Sequence, residues 1–315
     1  MAKMKILISG GAGFIGSYVI NAALKNNIDV IILKKKQNKT WKIDEYLDKI
    51  HVYNLEDIDL NQIFKKHVID AVIHLAAKYI KYEKTKAQRQ AIYASNVVFA
   101  NDLLKASINN HVKGFINTGT FFEYQLTNLP IHEKITKNPF NYYSQTKIQF
   151  EKNLIEACQQ KQIKAITLKL FSPYGEKDDR AVIYLMTRAL ITSTPLFLSS
   201  GQQRLSFTYA GDIAEAYIKA LKFLMSTKIN EYQDFNIGDS RIYSIREIAK
   251  ILIDYSRNKN IVLNFNLNSK TGDEIEQALC DNSKAKQYLG WNPEVSITKG
   301  LKKVYDYWYK KNIQI

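Results

Sequence analysis

The chain has 315 residues, 46% of them hydrophobic and 24% charged, the balance of a soluble globular protein large enough for one main domain with a smaller lobe. Its net charge of +15 comes from lysines dispersed over many apparent helices, with no nucleic-acid-binding motif, so the surplus reads as solvated surface rather than a polyanion site. Two cysteines far apart, Cys158 and Cys280, suggest neither a disulfide framework nor a metal cluster, and no apolar run approaches membrane-spanning length.

The opening MAKMKILISGGAGFIG has lysines followed by an apolar run, as a leader segment would, but glycines interrupt it and periodic structure continues beyond it. It reads as the first strand of the fold, so a cytoplasmic protein is expected. Lys5 to Ser9 suits a central parallel strand, and Gly10, Gly13 and Gly16 follow where an amphipathic helix begins. Glycine permits the tight turn and lets backbone N–H groups come close to a pyrophosphate, which the helix N-terminus then faces. With a second strand at Asp29–Leu33, this context predicts dinucleotide binding.

Further strand-like runs lie at 49–55, 70–77, 113–120 and 164–171, separated by helical patterns such as 96–107 and 146–160. The alternation predicts an α/β doubly wound parallel sheet of Rossmann type, with ligands at the carboxyl ends of its strands. No repeat or low-complexity segment divides the chain.

The second strand ends on Lys34, Lys35 and Lys36, eighteen residues after Gly16, and no acid follows until Asp44. An acidic residue at this place accepts hydrogen bonds from the adenosine ribose of NAD and repels a 2′-phosphate, whereas a cation attracts one. The block therefore predicts NADP, with Lys34 and Lys35 at the 2′-phosphate.

Together these features resemble the extended short-chain dehydrogenase/reductase family of NAD-dependent epimerase/dehydratase type, in the branch acting on nucleotide-activated sugars. The resemblance rests on GGAGFIG (10–16), HLAA (74–77), Asn96, NTGT (117–120), YYSQTK (142–147), GQQRLSFTYAGDIAEAY (201–217), FNIGD (235–239) and AKQYLGWNPEVSITKGL (285–301). It implies cofactor contacts from Gly10, Gly13, Phe14, Ile15 and Gly16, from Leu75, Ala76, Ala77, Asn96 and Thr118, and from Asn54 and Leu55 around the adenine. It also implies catalysis by Thr120, Tyr143 and Lys147, with Tyr143 and Lys147 reaching the nicotinamide ribose as well.

The chemistry of those three residues is independently reasonable. Tyr143 lies four before Lys147, which places both side chains on one face of a helix. A phenol of pKa about 10 is a poor catalyst at neutral pH, and a neighbouring ammonium favours its phenolate form. Thr120 can hydrogen-bond a substrate oxygen as charge develops on it. Tyr142 is assigned to packing or substrate contact.

Sugar 4,6-dehydratases of the family place an Asp-Glu pair after the catalytic Ser/Thr, but here Phe121 and Phe122 follow Thr120, and aromatic rings cannot serve as acid or base. Ketoreductases and epimerases are left. Epimerases hold NAD tightly, whereas reductases consume NADPH, so the lysines favour reduction. NTGTFFEY also resembles the CDP-abequose and CDP-paratose synthase branch, which reduces the C4 ketone of a nucleotide-linked 3,6-dideoxyhexose. The expected reaction is therefore NADPH-dependent reduction at C4 of a 4-keto-6-deoxy sugar nucleotide. The rivals are an NAD-dependent 4-epimerase and, more distantly, a non-catalytic NADP-sensing or RNA-associated protein, against which the retained acid–base residues argue.

For the substrate, Arg204 matches the family's phosphate-binding arginine and Lys270 lies where relatives carry a second one. Ser172 replaces a family asparagine, and Arg180 is a further candidate. Residues 1–171 are assigned to the NADP-binding domain and 172–315 mainly to the substrate lobe, with returns to the sheet near 199–211 and 234–237. The resemblance further implies a homodimer packed through the helices holding 96–107 and 143–158.

Overall fold

The computed structural model describes residues 3–81, 83–126, 129–226, 232–257, 263–266 and 275–313. Its apolar runs form one seven-stranded parallel sheet. The strands β1 (Lys5–Ser9), β2 (Asp29–Lys34), β3 (His51–Asn54), β4 (Ala71–His74), β5 (Gly114–Thr120) and β6 (Lys164–Leu170) are joined by an edge strand, Tyr232–Ile237. Their spatial order is edge strand, β6, β5, β4, β1, β2, β3.

The helices α1 (Phe14–Lys25), α2 (Leu60–Lys66), α3 (Lys86–Tyr93), α4 (Phe99–Asn109), α5 (Tyr142–Gln159), α6 (Val182–Thr192) and α7 (Ala210–Ser226) follow in chain order. Helices α1 and α7 cover one face of the sheet, while α2, α4 and α5 cover the other. That double cover explains why β1 is apolar without alternation: Ile6 and Ile8 pack into the first layer, Leu7 into the second, and all three are fully buried.

Chain direction across the sheet reverses between β1 and β4, which lie side by side. Ser9 and His74 pair in register at the carboxyl ends of these strands, and their side chains share a hydrogen bond of 2.7 Å. A crevice at such a reversal is where open α/β sheets bind ligands.

A separate apolar cluster builds the smaller lobe from α6 and the helices Ile245–Tyr255 and Ile297–Ile313. The edge strand Tyr232–Ile237 pairs with β6 throughout its length. Arg204–Leu205 and Thr208–Tyr209 instead belong to two small sheets outside the large one, so residues 199–211 supply it with no strand. The chain rejoins the large sheet's covering layer through α7. Trp291, fully buried, donates its indole N–H to the Asp212 carbonyl at 2.8 Å and ties the C-terminal segment to that helix.

Candidate active site

The glycine turn occupies the reversal point. Gly10 has φ +76°, and a Cβ on it would stand 2.7 Å from the Ala76 backbone nitrogen. No L-residue fits there without moving the segment after β4. Gly16 is equally constrained, since its Cβ would lie 2.4 Å from the Gly11 carbonyl oxygen. Helix α1 starts at Phe14 with Gly13 as its N-cap, which supplies no side-chain acceptor, and its first turn holds no acid. The N–H groups of the Phe14–Ile15 end are thus not capped by a side chain, and the turn fits a pyrophosphate.

Leu75 donates its N–H to the Ser9 carbonyl at 3.0 Å, which sets Leu75, Ala76 and exposed Ala77 along the same crevice. Asn96 lies in a π-helical turn, Ala94–Val98, between α3 and α4. Its amide accepts from Lys78 N–H at 2.7 Å and donates to the Lys78 carbonyl at 3.0 Å and to Thr146 Oγ1 at 3.1 Å. In the structure Asn96 therefore clamps the loop after β4 to α5. Thr118 gives its hydroxyl proton to the His74 carbonyl at 2.8 Å and accepts from Tyr217 at 2.6 Å.

At the end of β2 the three lysines separate. Lys34, half-buried, directs its ammonium at the carbonyls of Lys35, Lys36 and Asn38, at 3.3, 3.4 and 3.1 Å. Lys36 pairs with Asp57 at 3.2 Å, and its N–H donates to Glu56 at 2.8 Å. Lys35 is exposed and makes no side-chain hydrogen bond or ion pair among the described residues. Asn54 donates to Asp57 at 2.8 Å, and Leu55 donates its N–H to the Lys34 carbonyl at 2.8 Å, so β3's end closes the loop from below. The carboxylates of Glu56 and Asp57 carry no signal in the sequence, because they come from the turn after β3 and not from the lysine loop.

Thr120 ends β5, and Tyr143 and Lys147 occupy the first turns of α5. A capping box starts that helix: Asn141 accepts from Ser144 N–H at 2.9 Å, and the Ser144 hydroxyl accepts from Asn141 N–H at 3.1 Å. Lys147 is buried, which pushes its ammonium down to about 8, against the opposing pull of the Glu123 and Glu151 carboxylates. The Tyr143 phenol is raised by burial first, then by Glu123 and Tyr79. Without a bound cation Tyr143 is a protonated acid at neutral pH. Thr120 Oγ1 accepts from Phe122 N–H at 3.3 Å, which leaves its own proton to donate elsewhere.

Aromatic rings border this trio. Tyr79, partly exposed, meets Tyr143 edge-on at 5.0 Å, and Phe122 lies 6.3 Å from Tyr79 and 5.7 Å from Phe140. They come from three separate loops, so no spacing in the chain announces them.

The substrate candidates are less gathered. Ser172 connects β6 to the lobe at φ +30°, a left-handed conformation that strains a serine, and its carbonyl accepts from Thr208 N–H at 3.2 Å. Arg204 is ion-paired to Glu247 at 3.2 Å. The Arg180 side chain is 92% exposed, with Asp179 at 3.8 Å. Lys270 lies outside the described residues. Sequence reasoning passed over Glu123, Lys169 and Glu151, three fully buried charges beneath Thr120 and Lys147. Thr120 and Glu123 stand at capping-box spacing, and Lys169 is a charge in the interior of a mostly apolar strand; both signals were present.

A glycine-turned parallel sheet with Thr, Tyr and Lys at its crevice defines a dinucleotide-dependent oxidoreductase fold. The model of the NAD dependent epimerase/dehydratase family matches residues 6–238, and the chain belongs to that family. It is 28% identical over 311 residues to UDP-glucose 4-epimerase of Lactobacillus helveticus, covering 92% of each chain. To CDP-abequose synthase of Salmonella muenchen it is 24% identical, covering 95% of this chain and 96% of that one. The dTDP-4-dehydro-6-deoxyglucose reductase of Escherichia coli is 25% identical, with 96% of each covered. The structure of UDP-glucuronic acid 4-epimerase from Bacillus cereus, in complex with UDP-glucuronic acid and NAD, superposes with a TM-score of 0.86 at 27% identity, covering 98% of this chain and 100% of that one. No helix among the described residues is long and apolar enough to cross a membrane, and those residues include no His, Cys, Asp and Glu group able to hold a metal.

Proposed function

We propose that the chain is a cytoplasmic, NADPH-dependent ketoreductase acting at C4 of a nucleotide-linked 4-keto-6-deoxyhexose, or its 3,6-dideoxy counterpart. Such a product would feed surface polysaccharide such as the O-antigen of lipopolysaccharide. The observation that carries this reading is the Thr120–Tyr143–Lys147 group bordered by Phe121 and Phe122, where a dehydratase needs acids. Lysines at the end of β2 support the phosphorylated cofactor, and the reductase and synthase relatives support the substrate class. The rings of Tyr79, Phe122 and Phe140 support a sugar with an apolar, deoxygenated face.

A reduced nicotinamide cofactor, with its pyrophosphate held by the turn of Gly10, Gly13 and Gly16, would supply the hydride for C4. Tyr143 gives its phenolic proton to O4, so that the ketone becomes a hydroxyl and the phenolate is reprotonated from solvent. The Thr120 hydroxyl donates to the same oxygen as its charge grows. Lys147 is an ammonium at neutral pH, stabilises the phenolate left behind and is assigned to the nicotinamide ribose as well. Arg204, released from Glu247, is assigned to the diphosphate, with Lys270 as a second cation and Ser172 and Arg180 lining the entry. A second copy would pack through α4 and α5.

A 4-epimerase with resident NAD is the second reading, favoured because Lys34 and Lys36 already have protein partners. The test measures NADPH and NADH oxidation with CDP-, dTDP-, GDP- and UDP-linked 4-keto-6-deoxy sugars. Net NADPH oxidation supports the reductase. Retained NAD with C4 inversion and no net oxidation refutes it.

A further inference from the structure

Beneath the acid–base residues runs a row of charges closed off from water. Glu123 Oε1 accepts the Thr120 N–H at 2.9 Å, and its Oε2 accepts from Lys169 Nζ at 2.5 Å. The same ammonium reaches Glu151 Oε1 at 2.7 Å. All three side chains are at most 1% exposed. Glu151 is also paired with Lys137 and accepts from the Tyr232 hydroxyl.

The row joins three elements. Glu123 follows β5 in the short 3-10 turn Phe121–Glu123, Lys169 is on β6, and Glu151 is on α5, one turn beyond Lys147 and two beyond Tyr143. Room for it comes from Gly119, where a Cβ would stand 2.9 Å from Glu123 Oε1 and 3.0 Å from Lys169 Cγ. Neither carboxylate oxygen of Glu123 is spent on the crevice; one holds backbone and the other holds Lys169. Burying such a triad is a poor route to stability, because desolvation offsets the attraction and apolar side chains of similar volume often do as well. Its placement under the catalytic residues points to another use.

We propose that Glu123 is a positioning residue for the acid–base centre. It fixes the backbone that carries Thr120, ties it through Lys169 and Glu151 to the helix carrying Tyr143 and Lys147, and supplies a fixed negative charge against both. This rests on Tyr143 and Lys147 being the acid–base pair, which the reductase and epimerase readings share.

The groups acting on Tyr143 are Glu123, Tyr79 from the loop after β4, and Tyr217 from α7, while Lys147 follows one turn later on its own helix. Glu123 in turn faces Lys169, Glu151 and, from the loop before α5, Lys137. Asp234 on the edge strand acts on Lys169. Among these, Glu123 opposes loss of the Tyr143 proton and favours the ammonium of Lys147. Lys169 contributes the opposite sign at Lys147.

Two variants test the proposal. Glu123→Gln keeps an acceptor for the Thr120 N–H and removes the charge. The double variant Glu123→Met with Lys169→Met removes the bridge without leaving either charge unpaired, and Glu151 keeps Lys137 and Tyr232. Phenolate absorbance of Tyr143 is titrated with saturating oxidised cofactor, as the difference between each protein and its Tyr143→Phe counterpart. The Glu123→Gln midpoint is expected to fall by about one pH unit, since a negative charge facing the phenolate is gone. The double variant is expected to fold and to lose at least about tenfold in kcat, with the sugar-nucleotide KM within about twofold, as for a misplaced hydrogen-bond donor. Turnover is followed as net reduction or as C4 inversion, whichever the wild type performs, so absence of reduction in the wild type counts against the proposed function alone. An unmoved midpoint in Glu123→Gln, or a folded double variant with wild-type kcat, overturns the positioning role. Should Glu123→Gln fail to fold, the double variant decides by its kcat.

Discussion

Lys35 offers the sharpest test of cofactor choice. Lys34 spends its ammonium on three carbonyls of its own loop and Lys36 spends its on Asp57, whereas Lys35 is exposed and uncommitted among the described residues. A 2′-phosphate carries up to two negative charges, and one ammonium about 4 Å away gains about 1 kcal/mol per charge at the dielectric of water, more where protein excludes it. Removing Lys35 should therefore cost about 1.5–2 kcal/mol, or about 10- to 30-fold in the KM for NADPH. NADH has no 2′-phosphate, so its KM should stay within about twofold. The assay compares Lys35→Ala with wild type for both cofactors at low and high salt. The NADPH effect should shrink as salt rises, because an exposed pair is screened. If KM for NADPH and NADH moved together, or if neither Lys35→Ala nor Lys34→Ala changed their ratio, the phosphate site would not be here.

The other predictions address the turn, the acid and a buried histidine. Gly16→Ala sets a Cβ 2.4 Å from the Gly11 oxygen and must displace the turn, so cofactor affinity should fall at least about tenfold in a fluorescence titration. Wild-type affinity would contradict the proposed cradle. Tyr143→Phe should lower kcat by about 10²–10⁴, and near-normal turnover would remove Tyr143 as the acid. His74 is held neutral by burial and by Lys147, its imidazole pushed down to about 3, while in the unfolded chain it titrates near 6.5. Between those values the unfolded chain binds the extra proton. His74's contribution is therefore complete above pH about 6.5 and is lost toward pH 3, at about 1.4 kcal/mol per pH unit. His74→Phe should flatten the acid side of the stability curve by about one proton in urea denaturation at stepped pH; an unchanged slope would place the proton uptake elsewhere.

Whatever depends on neighbours a few residues apart is legible in the chain alone. Apolar runs such as KILIS and DVIILK could only be strands covered on both faces, and the glycines at 10, 13 and 16 could only serve a tight turn into a helix. Helical periodicity alone put Tyr143 and Lys147 one turn apart on α5. Contacts between elements were another matter. Lys169 meets Glu123 across 46 positions of chain and Glu151 across 18, and both meetings depend on β5 and β6 pairing in register while α5 packs over them. The lysine block is legible as charge, yet only the pairing of β2 with β3 brings Asp57 to Lys36 and leaves Lys35 as the exposed cation. In the same way Arg204 meets Glu247 because a two-residue strand aligns antiparallel with Tyr243–Ser244, just ahead of that glutamate. Spacing sets geometry within an element, whereas strand order and register decide which charges share a buried space.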